Sequence, residues 1–269
     1  MSSLTVEVDN RIAVVTFDRP PVNALDHATF VEIAQVFGAL GQSREASVAI
    51  LRAHPESRLF CGGVDLNDSP RRYRADGHFE DDGPLIEAQY QVDPGRVARD
   101  CFNSLYDCAI PVIAAIDGKT IGAGVAIVAS CDMVVASTRA SLALTEINVG
   151  VLGGVRHAQR LVGPLLARRM LLTGDFITAH ELYRRGALED LVEPDQLMPA
   201  ALDLAGRIAA KSPLAVRLGK ESANRVEALS LQDGYRLEQD YTGRVKRHDD
   251  AEEARLAFVE KRHANFQWK

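Results

Sequence analysis

From its start to about residue 195 the chain repeats one pattern: a strand, a second strand, a glycine-bearing turn and a helix, with no strict repetition of residues. Residues 5–8 and 12–17 alternate apolar and polar side chains around Asp9-Asn10, the pattern of a hairpin. A short strand over 48–51 leads to the loop Phe60-Cys61-Gly62-Gly63-Val64-Asp65-Leu66. The apolar run 111–116 ends at Asp117-Gly118, and Gly122-Ala123-Gly124 then opens an apolar helix. A strand over 133–137 leads through Leu142-Ala143-Leu144 to Thr145-Glu146, and 155–173 is predicted helical. After Pro194 the strand signals stop. Apolar stripes at helical spacing predict helices only, over 201–209, 213–227, 229–247 and 251–266. The expected organisation is therefore an α/β core over 1–195 and an all-helical region over 196–269.

Composition narrows the class. A chain of 269 residues with 46% hydrophobic and 25% charged residues can bury a full core and reads as globular. The net charge of −6 argues against a nucleic-acid binder, which needs a basic surplus. Cys61, Cys101, Cys108 and Cys131 form no C-x-x-C pair and no zinc-spaced cluster, so free thiols and no metal are expected. The start of the chain has no signal-peptide pattern, and the apolar run 121–129 is too short to span a bilayer. A cytoplasmic protein without a membrane partner is expected.

The glycines need a reason. Taken alone, Gly62-Gly63 and Gly122-x-Gly124 serve tight turns and close helix packing. Gly118-Lys119-Thr120 resembles the end of a P-loop, but residue 113 is Ile113 where the motif requires glycine. Gly122-Ala123-Gly124 begins like a dinucleotide fingerprint, but position 127 is Ile127. No G-x-S-x-G is present, so there is no nucleophile elbow. Glu146, between an alternating strand and Gly150 and beside Ile147, would be a partly buried carboxylate able to exchange a proton near neutrality.

Three segments taken in order resemble the crotonase (enoyl-CoA hydratase/isomerase) superfamily: Arg19-Pro20 with Asn23-Ala24-Leu25, then 60–66, then Asp117-Gly118 through Gly122-Ala123-Gly124 to Cys131-Asp132, Glu146-Ile147 and Gly150. The resemblance implies an α/β spiral of repeated ββα units with a C-terminal helical oligomerisation region, and an enzyme acting on an acyl-CoA thioester. By position it implies an oxyanion hole from the N–H groups of Gly62 and Ala123, a proton-moving Glu146, and substrate contacts from Ala24, Gly63, Val64, Asp65 and Leu66. It also implies CoA contacts from Phe258 and Lys261, often toward a neighbouring subunit, in a homotrimer or dimer of trimers. No cofactor is implied, CoA being part of the substrate.

One departure bears on the reaction. The family's hydratases carry a second glutamate where this chain has Ala126. Hydration of a 2-enoyl-CoA is the leading expectation, double-bond isomerisation by Glu146 alone the alternative, and a non-catalytic acyl-CoA binder the rival from another class. A second departure places Arg156 and His157 where small residues are usual, and His157 could supply the missing acid. Glu87 and Tyr90 are further donor candidates. Arg71, Arg72 and Arg74, in the polar stretch 67–95, are candidates for the CoA phosphates. For each the plain alternative is a solvated or structural side chain.

Overall fold

The computed structural model describes residues 2–66 and 87–268. Its strands are β1 (Leu4–Asp9), β2 (Ile12–Phe17), β3 (Ala24–Leu25), β4 (Val48–Ala53), β5 (Leu59–Cys61), β6 (Gly63–Val64), β7 (Val112–Ile116), β8 (Lys119–Ile121), β9 (Met133–Ser137), β10 (Ser141–Ala143), β11 (Ile177–Thr178) and β12 (Asp190–Val192). Its helices are α1 (His27–Gln42), α2 (Ala88–Val92), α3 (Arg96–Tyr106), α4 (Ala123–Ser130), α5 (Val155–Val162), α6 (Pro164–Thr173), α7 (Ala179–Arg184), α8 (Leu197–Ala209), α9 (Pro213–Val226), α10 (Leu231–Val245) and α11 (Asp249–Glu260).

The repeat in the sequence becomes a division of labour between two sheets. One has the order β1-β2-β4-β7-β9-β12, the other β11-β10-β8-β5. Each of the pairs β4–β5, β7–β8 and β9–β10 sends its first strand to the larger sheet and its second to the smaller. The turn between the two therefore advances the chain by one step of a spiral. A further two-stranded sheet, β3-β6, ties the loop after Phe17 to the turn after Cys61.

The central strands of the larger sheet, β4, β7 and β9, are buried on both faces, which explains why they read as continuous apolar runs. On β4, Ala49 and Leu51 join the core built with α1 and α3, while Val48 and Ile50 face the opposite side. There they meet Leu197, Ala201, Ala205 and Ala209, one stripe of α8. Fully burying a side chain such as Ile50 contributes about 1.5–3 kcal/mol. The last strand ends at Val192 and only helices follow, but α8 is thereby a layer of the α/β core. The helices beyond the core are α9 to α11.

Local signals account for the helix ends. The Asp26 side chain accepts from the Thr29 backbone N–H at 2.8 Å and caps α1. Glu32 instead accepts from the backbone N–H of Ser3 and Leu4, joining α1 to the start of β1. The segment expected as one helix over 155–173 is two. Gly163, at φ 77°, ends α5, and Pro164 occupies the first turn of α6, where its missing N–H costs nothing. All four cysteines are free and buried. Among the described residues no acidic, histidine or cysteine cluster could hold a metal, and no helix is long and apolar enough to cross a membrane.

Candidate active site

The site is assembled where α4 begins. Gly122 precedes it with φ 55° and ψ −116°, a conformation that strains any residue with a Cβ. Gly122 N–H donates to Ala143 O, holding this turn against β10. The Gly122 carbonyl takes the first helical bonds, from Val125 at 2.9 Å and Ala126 at 3.4 Å. The N–H of Ala123 is thus a first-turn donor with no acceptor inside its own helix, and the helix dipole adds to its pull on negative charge. At the other end, Arg160 donates to Ala129 O and Cys131 O at 2.5 and 2.8 Å, capping the terminal carbonyls of α4 with positive charge.

The turn at β6, where the second donor is expected, lies beside this helix. Gly62 N–H donates to Asn23 O at 3.3 Å, so this amide faces the β3 side. Asp65 N–H donates to Leu25 O at 2.9 Å, in register with the pairs Ala24–Gly63 and Leu25–Val64. Neighbouring amides of a strand face opposite edges, so the Asp65 bond directs the Val64 N–H away from β3, the alternation being interrupted before it at Gly63, whose φ is 90°. β6 lies against the turn that opens α4: a methyl group built on Gly63 would be 3.2 Å from Ile121 O. The missing Cβ of Gly124 likewise lets α4 press on β5, since one there would be 2.7 Å from Cys61 Cβ. The Gly62 N–H expected at the oxyanion thus has Asn23 O as an acceptor, while the Val64 N–H, aimed away from β3, lies in the same turn beside the start of α4. Sequence pattern does not reveal which edge an amide faces, because that depends on the pairing partner.

Glu146 opens a short helical turn, Glu146–Val149, that ends at Gly150 in the left-handed conformation. Its carboxylate lies over the glycines of the site. A methyl on Gly122 would be 2.7 Å from Oε1, and one on Gly153 would be 3.3 Å from it. Oε2 is buried without a hydrogen-bond partner among the described residues. Burial pushes the Glu146 carboxyl above the usual carboxylate range, only partly offset by a bond to its own backbone N–H. A reaction that uses ionised Glu146 as base should accordingly lose rate on the acid side at a midpoint above that of an ordinary glutamate. A kcat/KM–pH profile checks this, and a limb at the ordinary value would contradict it.

The surrounding loop is braced. Arg19 bridges Asp26 at 2.8 Å and Asp65 at 3.0 Å, and it donates to Ala24 O. Asn23 accepts from Arg19 N–H and donates to Leu59 O and Phe60 O. Asp65 thus holds its own loop, while Val64 and Leu66 stay exposed at its rim.

Ala126 is buried one turn into α4, so its methyl replaces a carboxylate where solvent does not reach. His157 lies in the first turn of α5, half-buried, its ring edge-on to Phe102 at 5.0 Å. Burial, helped by Arg156 and Arg160, lowers its pKa, so the ring is held neutral and is a poor proton donor. Tyr90 is buried with its ring edge-on to His27 at 5.1 Å, and Glu87 is exposed at the start of α2. Phe258 and Lys261 are exposed at the end of α11, a helix that takes no part in building the Glu146 cluster. Arg71, Arg72 and Arg74 lie outside the described residues.

A spiral of ββα units with a glycine turn opening an apolar helix and one buried carboxylate beside it defines the class, a crotonase-type acyl-CoA enzyme. The chain belongs to the enoyl-CoA hydratase/isomerase family, whose pattern matches residues 7–269. It is 36% identical over 250 residues to a (7aS)-7a-methyl-1,5-dioxo-2,3,5,6,7,7a-hexahydro-1H-indene-carboxyl-CoA hydrolase of Mycobacterium tuberculosis, covering 93% of this chain and 95% of the relative. It is 30% identical over 268 residues to a crotonyl-CoA hydratase of Syntrophomonas wolfei, covering 98% and 97%. Among solved structures, the enoyl-CoA hydratase of Bacillus anthracis superposes with a TM-score of 0.86 at 26% identity, over all of both chains.

Proposed function

We propose that the protein adds water to an acyl-CoA thioester through an enolate, with Glu146 as the one carboxylate that moves the proton. The observation that carries this reading is the Glu146 carboxylate, buried and unpartnered at Oε2, beside the turn that opens α4. The N–H groups of Val64 and Ala123 hold the thioester oxygen as it gains charge. A donor of this kind typically contributes about 3–4 kcal/mol to the transition state. Glu146 takes a proton from water as the hydroxyl bonds to the β-carbon. The electron pair of the double bond moves to the thioester oxygen, and Glu146 returns the proton to the α-carbon. Water chemistry is supported by the relatives, named as hydratases, carnitinyl-CoA dehydratase and a hydrolase. This chemistry asks for no metal or redox group, and CoA enters as part of the substrate.

Ala126 favours a second reading, double-bond isomerisation, in which Glu146 carries a proton between two carbons and no water adds. The reading also includes self-association, supported by the exposed apolar residues Leu231 and Tyr235 of α10 and Leu229 just before it. In such an assembly Phe258 and Lys261 would meet the CoA held by a neighbouring copy.

Mass spectrometry of 2-enoyl-, 3-enoyl- and cyclic dione-CoA thioesters after incubation tests the reading. Gain of one water by the 2-enoyl compounds is the expected result. Conjugation of the 3-enoyl compounds at unchanged mass would replace it with isomerisation. Gain of water only by the cyclic diones, with a new carboxylate, would replace hydration with ring-opening hydrolysis.

A further inference from the structure

We propose that the cavity between α3, α4, α5 and α9 is a polar subsite for the far end of the acyl group, reading an acceptor oxygen, carboxylate or ketone, through Arg156. The proposal rests on the acyl-CoA reading above and adds a substrate class to it. The cavity measures about 200 Å³ and is lined by Phe102, Asn103, Ala129, Arg156, His157 and the Arg160–Glu227 pair, among others. It is linked to the site by two elements. Glu146 Oε1 lies against Gly153, and Arg156 and His157 come three and four residues later, in the first turn of α5. α4 runs alongside, with Ala123 at the site and Ala129 and Ser130 in the cavity wall.

The charges in this cavity are not equivalent. Arg160 is committed: it bonds Ala129 O and Cys131 O, pairs with Glu227 at 3.2 Å and stacks on Tyr106. Glu227 is committed too, accepting from Tyr106 Oη and from Arg160. Arg156 has no hydrogen bond or ion pair with a described residue, which leaves one uncompensated positive charge at the cavity. His157 makes only its ring contact with Phe102 among the described residues. One unpaired, exposed guanidinium on a cavity that Phe102 and Tyr106 also line suits an acyl group that is apolar along its length and carries an oxygen at its end. A guanidinium takes a carboxylate on two parallel N–H donors and a ketone on one.

Saturated thioesters test this without turnover, by titration calorimetry on wild type and Arg156→Met with adipoyl-CoA, 5-oxohexanoyl-CoA and hexanoyl-CoA. Wild type should bind at least one oxygenated thioester about tenfold or more tighter than hexanoyl-CoA, as a hydrogen bond to a charged group implies. Arg156→Met should erase that preference and leave hexanoyl-CoA binding and the melting temperature unchanged. Preference for adipoyl-CoA would assign a carboxylate, and preference for the oxo compound alone a ketone. Equal binding of all three by wild type, or a preference that survives Arg156→Met, would overturn the subsite and leave the acyl-CoA reading intact. Failure of every thioester to bind would overturn both.

Discussion

Glu146→Gln should lower kcat by about 10²–10⁴, the usual contribution of a positioned acid/base group, while acyl-CoA binding changes little. The amide keeps the size of the carboxylate and so its fit over Gly122 and Gly153, but it cannot accept the proton. The same substitution should raise thermal stability at neutral pH. The folded pKa of Glu146 is raised above its unfolded value, so its contribution to stability is present below the unfolded pKa and is lost as pH rises through the folded one. Removing the charge removes that loss. The stability gap between variant and wild type should therefore be widest at neutral and alkaline pH and close in acid. Steady-state kinetics and thermal melts across pH read both effects. A variant with full turnover would sink the acid/base role.

The largest effect on stability should come from Lys220→Met. The Lys220 ammonium, on α9, is buried and donates to Leu105 O, Ile110 O and Asp132 Oδ2, the last at 2.8 Å. Asp132 Oδ2 also accepts from the N–H of Val112, so one buried pair fastens α9 to the start of β7 and the end of α4. Breaking a buried pair from one side leaves an uncompensated charge and typically costs about 3–5 kcal/mol. Desolvation already raises the Asp132 carboxyl, against the pull of Lys220. Without Lys220 it should rise further, so the deficit should shrink in acid as Asp132 takes up a proton. Chemical denaturation at two pH values measures this. Lys220→Met combined with Asp132→Asn should recover part of the loss, and a deficit that grows in acid would contradict the account.

Much of this was legible in the residues, because it is local. The alternation over 12–17 and the apolar run at 111–116 are short-range consequences of side-chain chemistry, and each became the expected element. Gly122, Gly124 and Glu146 could be singled out because few residue types tolerate their tasks. The split of 155–173 at Gly163-Pro164 was also readable from a helix-breaking pair, although the apolar pattern ran across it.

Other features depend on which segments meet. The role of α8 as the second cover of the sheet follows from the twofold alternation of β4, whose two faces are both apolar and give no sign of what covers each. The acceptor that Gly62 N–H finds in Asn23 O follows from pairing β6 with β3, a partner some forty residues earlier. The committed Arg160 and the open Arg156 are both arginines of one short helix, and what separates them is the end of α4, Tyr106 of α3 and Glu227 brought in by α9, all of which meet Arg160. By itself the sequence determined the local units, the glycines that let backbone approach backbone, and the single carboxylate. The tertiary structure alone decided the direction of each donor and the pairing of each charge, because amide direction and charge neutralisation are set by neighbours distant in the chain.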